Sequence, residues 1–221
     1  MTDVRLLFAT TLVEIGGWLR ERGPMLEERF DGPSALAEFS VRGLAGHLLR
    51  AMTTVESYLD QPEPEDGETA GGGGIISAAG YYAAVLEPAP DINSEFQRSI
   101  RRRAEDAAPG SPGDFPTVWA ETTARLQARL AAERPDRLVK VYGDLVLTLD
   151  QYLVTRLIEL VVHADDLAVS LAVEPPPLPP AATGIVIGTL VEVARIRHGD
   201  VAVLRALSRR ERDTVEALRV V

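Results

Sequence analysis

The stretch Tyr152-Leu-Val-Thr-Arg-Leu-Ile-Glu-Leu-Val-Val-His-Ala-Asp-Asp-Leu-Ala-Val-Ser-Leu171 decides how this chain is read. At about 100° per residue, Leu153, Leu157, Leu160, Ala164, Leu167 and Leu171 form one stripe of a helix from about Asp150 to Ala172. Val154, Ile158, Val162 and Val169 take the opposite side, so the helix is predicted to be buried almost all round. Tyr152, Arg156, Glu159, His163, Asp166 and Ser170 share the strip that remains. Carboxylates buried there without partners would oppose folding by several kcal/mol. The strip therefore predicts a metal, a charge network or a wet cavity. The valine-rich far side fits either a dimer face, hence a possible homodimer, or a C-terminal segment folded back on it.

Glu159 and His163 are spaced i,i+4 and project from one face. A second histidine, His47, lies upstream in Val41-Arg-Gly-Leu-Ala-Gly-His-Leu-Leu-Arg50, at the edge of the stripe Leu44, Leu48, Ala51 and Val55. It can point obliquely into a bundle and meet the pair from across. One carboxylate and two imidazoles suit zinc or a similar divalent ion, and three protein ligands leave a coordination position open. Asp166, one turn past His163, is placed to bond a ligand imidazole or a metal-bound water. Arg156 is placed to pair with Glu159 or to hold an anionic substrate. The same residues also admit plainer readings: a surface Glu–His pair, and a satisfied histidine at a core edge. His198, in Arg197-His-Gly-Asp200, reads as a helix end before a glycine stop.

Working outward, residues 3 to 22 carry Leu, Val and Ile at helical spacing and stop near Gly23-Pro24. Ser40 is a predicted N-cap for a helix running to about Asp60. Residues 61 to 74, with Gly71 to Gly74 at their end, form a long flexible loop by composition, a candidate lid. The glycines are no phosphate loop, because no lysine follows and no strand precedes. Short helices are predicted at 75–86 and 93–107, and a longer one at 116–133 after Pro109, Pro112 and Pro116. Leu138 to Leu149 alternates around Gly143-Asp144 as a small β-hairpin. The prolines from Pro175 to Pro180 mark an internal boundary. Helices near 181–197 and 200–210 follow, and Leu218-Arg-Val-Val is a possible final strand. Four long amphipathic helices predict an antiparallel bundle, a fold that builds metal sites between facing helices.

The chain has no cysteine, which removes disulfides, thiolate metal sites and a protein-borne thiol nucleophile together. Thiol chemistry here needs a thiol from outside. A net charge of −10 argues against nucleic-acid binding. The dense basic spots, Arg101-Arg102-Arg103 and Arg209-Arg210-Glu211-Arg212, read as solvated helix faces. No apolar run is long enough to span a membrane, and the N-terminus lacks the order of a signal peptide, so the expected location is cytoplasmic.

Phe39-Ser-Val-Arg-Gly-Leu-Ala-Gly-His47-Leu-Leu-Arg resembles the second-helix signature of the mycothiol-dependent maleylpyruvate isomerase family, within the DinB-like superfamily. Arg156-Leu-Ile-Glu159-Leu-Val-Val-His163-Ala-Asp-Asp166-Leu is similar to that family's fourth-helix signature, and Leu204-Arg-Ala-Leu-Ser-Arg-Arg-Glu-Arg resembles its tail. The resemblance implies a mainly α fold: a DinB-like four-helix bundle (1–174) with a small β-hairpin, and a short C-terminal α/β appendage (175–221). It implies a divalent metal, usually zinc and alternatively nickel, held by His47, Glu159 and His163, with mycothiol as external co-substrate; from their places on the strip, Asp166 and Arg156 are the expected catalytic side chains. About 40 residues follow Pro180, fewer than in the second domain of the isomerases, and no arginine matches the one expected to hold the maleylpyruvate carboxylates. The expected function is therefore thiol transfer to another electrophile ahead of the isomerisation. The alternative is a non-catalytic metal-binding bundle, such as a stress- or metal-responsive module. Actinobacteria are the hosts that the thiol and the arginine-heavy composition imply.

Overall fold

The computed structural model describes residues 3–64, 74–86, 91–208, 211 and 215–220. The fold is mainly α. Nine α-helices are present among the described residues: α1 (Val4–Glu21), α2 (Gly23–Arg29), α3 (Val41–Leu59), α4 (Ala78–Val85), α5 (Glu95–Ala107), α6 (Phe115–Ala132), α7 (Leu149–Leu171), α8 (Pro180–His198) and α9 (Asp200–Ser208). α1, α3, α6 and α7 form the bundle, with α1 and α3 each packed between α6 and α7.

Local chemistry sets the helix starts. Asp3, Ser40, Ser77, Ser94 and Thr148 each accept a hydrogen bond from a backbone N–H in the first turn of the following helix, satisfying donors that the helix itself leaves unpaired. At Ser40 the hydroxyl does two things: it accepts from Gly43 N–H at 2.8 Å and donates to Glu105 Oε1 at 2.5 Å. Ser40→Ala is expected to destabilise the protein by about 1–2 kcal/mol, the lost cap plus the lost link to α5. Urea titration checks this, and an unchanged midpoint would rule the cap out as a stabilising contact.

The core is the shared interior of the four long helices. Phe8, Leu12, Ile15, Leu44, Leu48, Met52, Phe115, Trp119, Leu126, Leu153, Leu157 and Leu160 are almost fully buried there. Trp119 keeps its indole N–H satisfied by donating to the Leu12 carbonyl at 2.9 Å. Arg5 ties the end of α6 to the start of α7. Its guanidinium takes the Glu133 and Arg134 carbonyls and the Asp150 carboxylate at 2.7–2.9 Å.

The hairpin lies where the alternating pattern placed it. β1 (Leu138–Val141) pairs antiparallel with β2 (Leu145–Thr148), with Val141 opposite Leu145. Gly143 and Asp144 turn the chain with positive φ values of 78° and 58°, conformations that glycine and aspartate tolerate best.

Most of the loop between α3 and α4, including Gly71 to Gly73 and the expected lid, lies outside the described residues. So do Arg209, Arg210 and Arg212 of the basic tail. Over Leu218 to Val220, the described part of Leu218-Arg-Val-Val, no strand forms. Val215–Leu218 is a 3-10 turn, and no strand joins the hairpin among the described residues. A strand there would need a sheet edge to pair with; the chain end packs instead against α8 and α9.

α5 packs against α3 in a close approach that Gly46 makes possible. A Cβ at Gly46 would overlap the Ala104 carbonyl and stand 2.8 Å from Ala108 N. After the prolines, α8 folds back onto α7, α4 and α1. Val154 and Ile158 are buried within the single chain, while Val169 remains 61% exposed. α8 thus packs on α7, and Val154 and Ile158 are buried without a second chain. No helix among the described residues is long and apolar enough to cross a membrane.

Candidate metal centre

α3 and α7 run antiparallel across the bundle, and their polar strips meet where His47, Glu159 and His163 face one another. Each offers one ligand atom, and the three atoms all lie within 4.8 Å of one another. His47 Nε2 lies 3.1 Å from Glu159 Oε2, and His163 Nε2 lies 3.4 Å from the same oxygen. Two imidazole nitrogens thus converge on one carboxylate oxygen. Ligands held at about 2.0–2.1 Å in a tetrahedral site stand about 3.3 Å apart. The spacing of this donor set therefore fits a small divalent cation without moving either helix.

The surroundings hold the three groups in place. His163 Nδ1 hydrogen-bonds Asp166 Oδ2 at 2.9 Å, which keeps the Nδ1 proton and directs Nε2 at Glu159. The other Glu159 oxygen, Oε1, accepts a hydrogen bond from the Tyr82 hydroxyl at 2.5 Å. The two rings meet edge to face, with centroids 4.6 Å apart. Phe39 closes the outer side of His47 with its ring centroid at 5.9 Å. His47 Nδ1 is buried and has no hydrogen-bond partner among the described residues.

Burial and charge set the protonation states. Burial opposes the negative charge of Glu159, but hydrogen bonds from His163 and His47, with Arg156 nearby, outweigh it and hold this carboxyl well below the usual range. Burial also opposes a charge on His163, yet its bonds to Asp166 and Glu159 raise its pKa to about 9. His47 goes the other way: burial dominates and lowers its pKa below the usual imidazole value. At neutral pH the metal-free cluster is thus a Glu159 carboxylate between a neutral His47 and a cationic His163. The side chains of His47, Glu159 and His163 are 18–19% exposed, so the cluster is buried enough to be ordered and open enough for an outside ligand to reach.

The other members of the strip divide by role. Arg156 makes no ion pair with Glu159. Its Nε donates to Thr155 Oγ1 at 3.0 Å and its guanidinium lies 5.0 Å over the Tyr152 ring. Ser170 is a structural residue, accepting from Ala35 N–H and donating to the Asp166 carbonyl. His198 ends α8 before Gly199 and is exposed. Tyr82 is the participant that sequence periodicity does not reveal, because its helix has only eight residues and shows no apolar stripe. The adjacent pair Tyr81-Tyr82 on a short helix after a glycine run is the one available signal.

Comparison with curated proteins and with solved structures gives no match. The family model described as the mycothiol maleylpyruvate isomerase N-terminal domain matches residues 14–168, which contain His47, Tyr82, Glu159, His163 and Asp166. With a bundle of the expected kind and most of its length covered by that match, the chain belongs to the mycothiol maleylpyruvate isomerase N-terminal domain family.

Proposed function

We propose that this chain is a divalent-metal-dependent thiol transferase or isomerase that uses an external low-molecular-weight thiol, mycothiol, at His47, Glu159 and His163. The observation that carries this reading is the convergence of His47 Nε2 and His163 Nε2 on Glu159 Oε2, at 3.1 and 3.4 Å, with the remaining His163 nitrogen committed to Asp166. The absence of cysteine supports a borrowed thiol, and so does the family. A divalent ion such as zinc or nickel, when bound, supplies a Lewis acid that brings a coordinated thiol to thiolate near neutral pH.

The chain's own residues do the rest. The two Nε2 atoms and Glu159 Oε2 would hold the ion. Asp166 accepts the His163 Nδ1–H and so keeps the Nε2 lone pair directed at the centre. Tyr82 donates to Glu159 Oε1 and leaves Oε2 as the coordinating oxygen. Arg156 places a fixed positive charge one helical turn away, suited to orienting an anionic group.

The test is the zinc content of the purified full chain, followed by thiol consumption with mycothiol and a panel of electrophiles. About one equivalent of zinc and a zinc-dependent loss of free thiol support the reading. A chain that takes up no zinc after incubation sinks it.

The protonation states add a pH signature. In the metal-free protein His163 carries its proton up to about pH 9, and a metal must displace that proton to reach Nε2. Zinc affinity is therefore expected to rise about tenfold per pH unit from pH 6.5 towards 9 and then level. One proton should be released per zinc bound, since His47 is already neutral. Calorimetry in buffers of different ionisation enthalpy measures that count, and a count of zero would contradict the assignment of His163.

A further inference from the structure

α4 is held by its surroundings rather than by its own sequence. Its eight residues, Ala-Ala-Gly-Tyr-Tyr-Ala-Ala-Val, have no apolar stripe and carry Gly80 in their interior, and a helix of that length is not stable in isolation. It packs on α7 and α8, but apart from Tyr82 the residues it buries are the small Ala78 and Ala79. The bonds at its two ends therefore fix its place. At the N-terminal end Ala78 N–H donates to Gln151 Oε1 of α7 at 2.8 Å. At the C-terminal end, where α4 has no basic residue of its own, Arg197 reaches across from the last turn of α8. Its Nη2 donates to the Tyr82 carbonyl at 2.9 Å and to the Leu86 carbonyl, placing a cation where the helix dipole favours one. Its Nη1 donates to the carbonyl of the buried Val220 at 2.7 Å, which ties the chain end to the same point.

Tyr82 is thus gripped through both its backbone and its side chain. Its carbonyl accepts from Arg197, while its buried hydroxyl donates to Glu159 Oε1 at 2.5 Å and lies 3.1 Å from the Thr155 carbonyl. A tyrosine side chain turns about two bonds only, so the hydroxyl follows wherever the backbone is held. Arg197 is the link between that backbone and α8. Arg195, on the same helix, pairs with Glu192 and Asp200 at the surface instead. Arg197 also lies beyond residues 14–168, the part of the chain that the family model matches.

We propose that Arg197 is a positioning residue of the metal centre: from α8 it holds α4 so that the Tyr82 hydroxyl stays on Glu159 Oε1. The C-terminal segment thereby takes part in the centre without supplying a ligand. A carboxylate oxygen bonded to a fixed phenol is not free to swing to the cation. The Tyr82 contact therefore keeps Glu159 coordinating through Oε2 alone and leaves a coordination position for an outside thiol. That Glu159 holds a metal rests on the function proposed above; the grip of Arg197 on Tyr82 does not.

Two measurements on the full chain separate these. The first is amide hydrogen exchange in chelator-treated, metal-free protein. Arg197→Gln is expected to speed exchange about tenfold at the Leu86 N–H, which donates to the Tyr82 carbonyl, while the amides of α3 and α7 exchange as in the wild type. The second is zinc affinity, by competition with a chromophoric chelator. Tyr82→Phe should weaken it about 10–100-fold and Arg197→Gln, one step further out, about three- to tenfold. The double variant should bind no more weakly than Tyr82→Phe alone, because Arg197 acts through that hydroxyl. Arg197→Lys keeps donors for the carbonyls and should stay within about twofold of wild type, as should Arg195→Gln. The acceptors of Arg197 lie outside the four bundle helices, so these variants are expected to fold, which circular dichroism checks. Unchanged exchange at Leu86 in Arg197→Gln, or a zinc defect from Arg197→Gln that is just as large without the Tyr82 hydroxyl, would overturn the proposal. Wild-type protein that takes up no zinc would overturn the function proposed above, and exchange at Leu86 then decides for or against the grip on Tyr82.

Discussion

Replacing His163 with alanine is expected to abolish stoichiometric zinc binding, lowering affinity by more than about a hundredfold. The substitution removes one of three donors, Nε2, and also the imidazole through which Asp166 acts. Two donors, His47 Nε2 and Glu159 Oε2, remain 3.1 Å apart, too few to hold a divalent ion against water. Asp166→Asn keeps all three donors and weakens only the hold on His163, so its expected loss is smaller, about 10–100-fold. The ordering of the two variants carries the argument. Elemental analysis and competition with a chromophoric chelator measure both, and an Asp166→Asn defect larger than that of His163→Ala would mean that Asp166 is itself a ligand. Glu159 keeps its bonds to His47 and Tyr82 in the His163 variant, so the bundle is expected to stay folded and the loss to be one of binding.

Gly46→Ala is expected to be the most destabilising single-methyl change in the protein, at about 3 kcal/mol, or roughly 6–12 °C in Tm. The added Cβ would overlap the Ala104 carbonyl and crowd Ala108 N. Both obstacles are backbone, so no rotamer change can relieve the clash, and α5 must move away from α3. Gly184→Ala is the matched control. It is also helical, but nothing lies within 4 Å of the new methyl, and the gain in helix propensity should stabilise by about 0.5–1 kcal/mol. Thermal unfolding of the two variants tests the pair, and equal shifts would show that α5 is not seated as described. Because the ligands lie on α3 and α7, zinc binding should survive in Gly46→Ala.

Much of this molecule is legible in its sequence, for reasons of spacing and local chemistry. Helical periodicity placed the four long helices within a few residues of their ends, since a stripe of buried leucines and a capping serine, aspartate or threonine are local signals. The i,i+4 spacing of Glu159 and His163 put them on one face, and the lack of cysteine excluded a thiol of the chain's own.

What lies across from that face was not local. His47 stands 112 residues from Glu159 in sequence, and its approach depends on how α3 and α7 cross. Periodicity alone left His47 equally consistent with a satisfied core-edge histidine. Tyr82 carried no signal beyond the adjacent tyrosine pair, because a helix of eight residues has no stripe. The final strand was open in the sequence because Leu218-Arg-Val-Val alternates, and the described part of the chain end packs as a 3-10 turn on α8 and α9 instead. The sequence by itself determined the helices and the faces they carry. Packing decided which faces meet, because the distances that make a donor set are set between helices, and a residue such as Gly46, whose missing Cβ lets α5 lie on α3, is identified by no local rule.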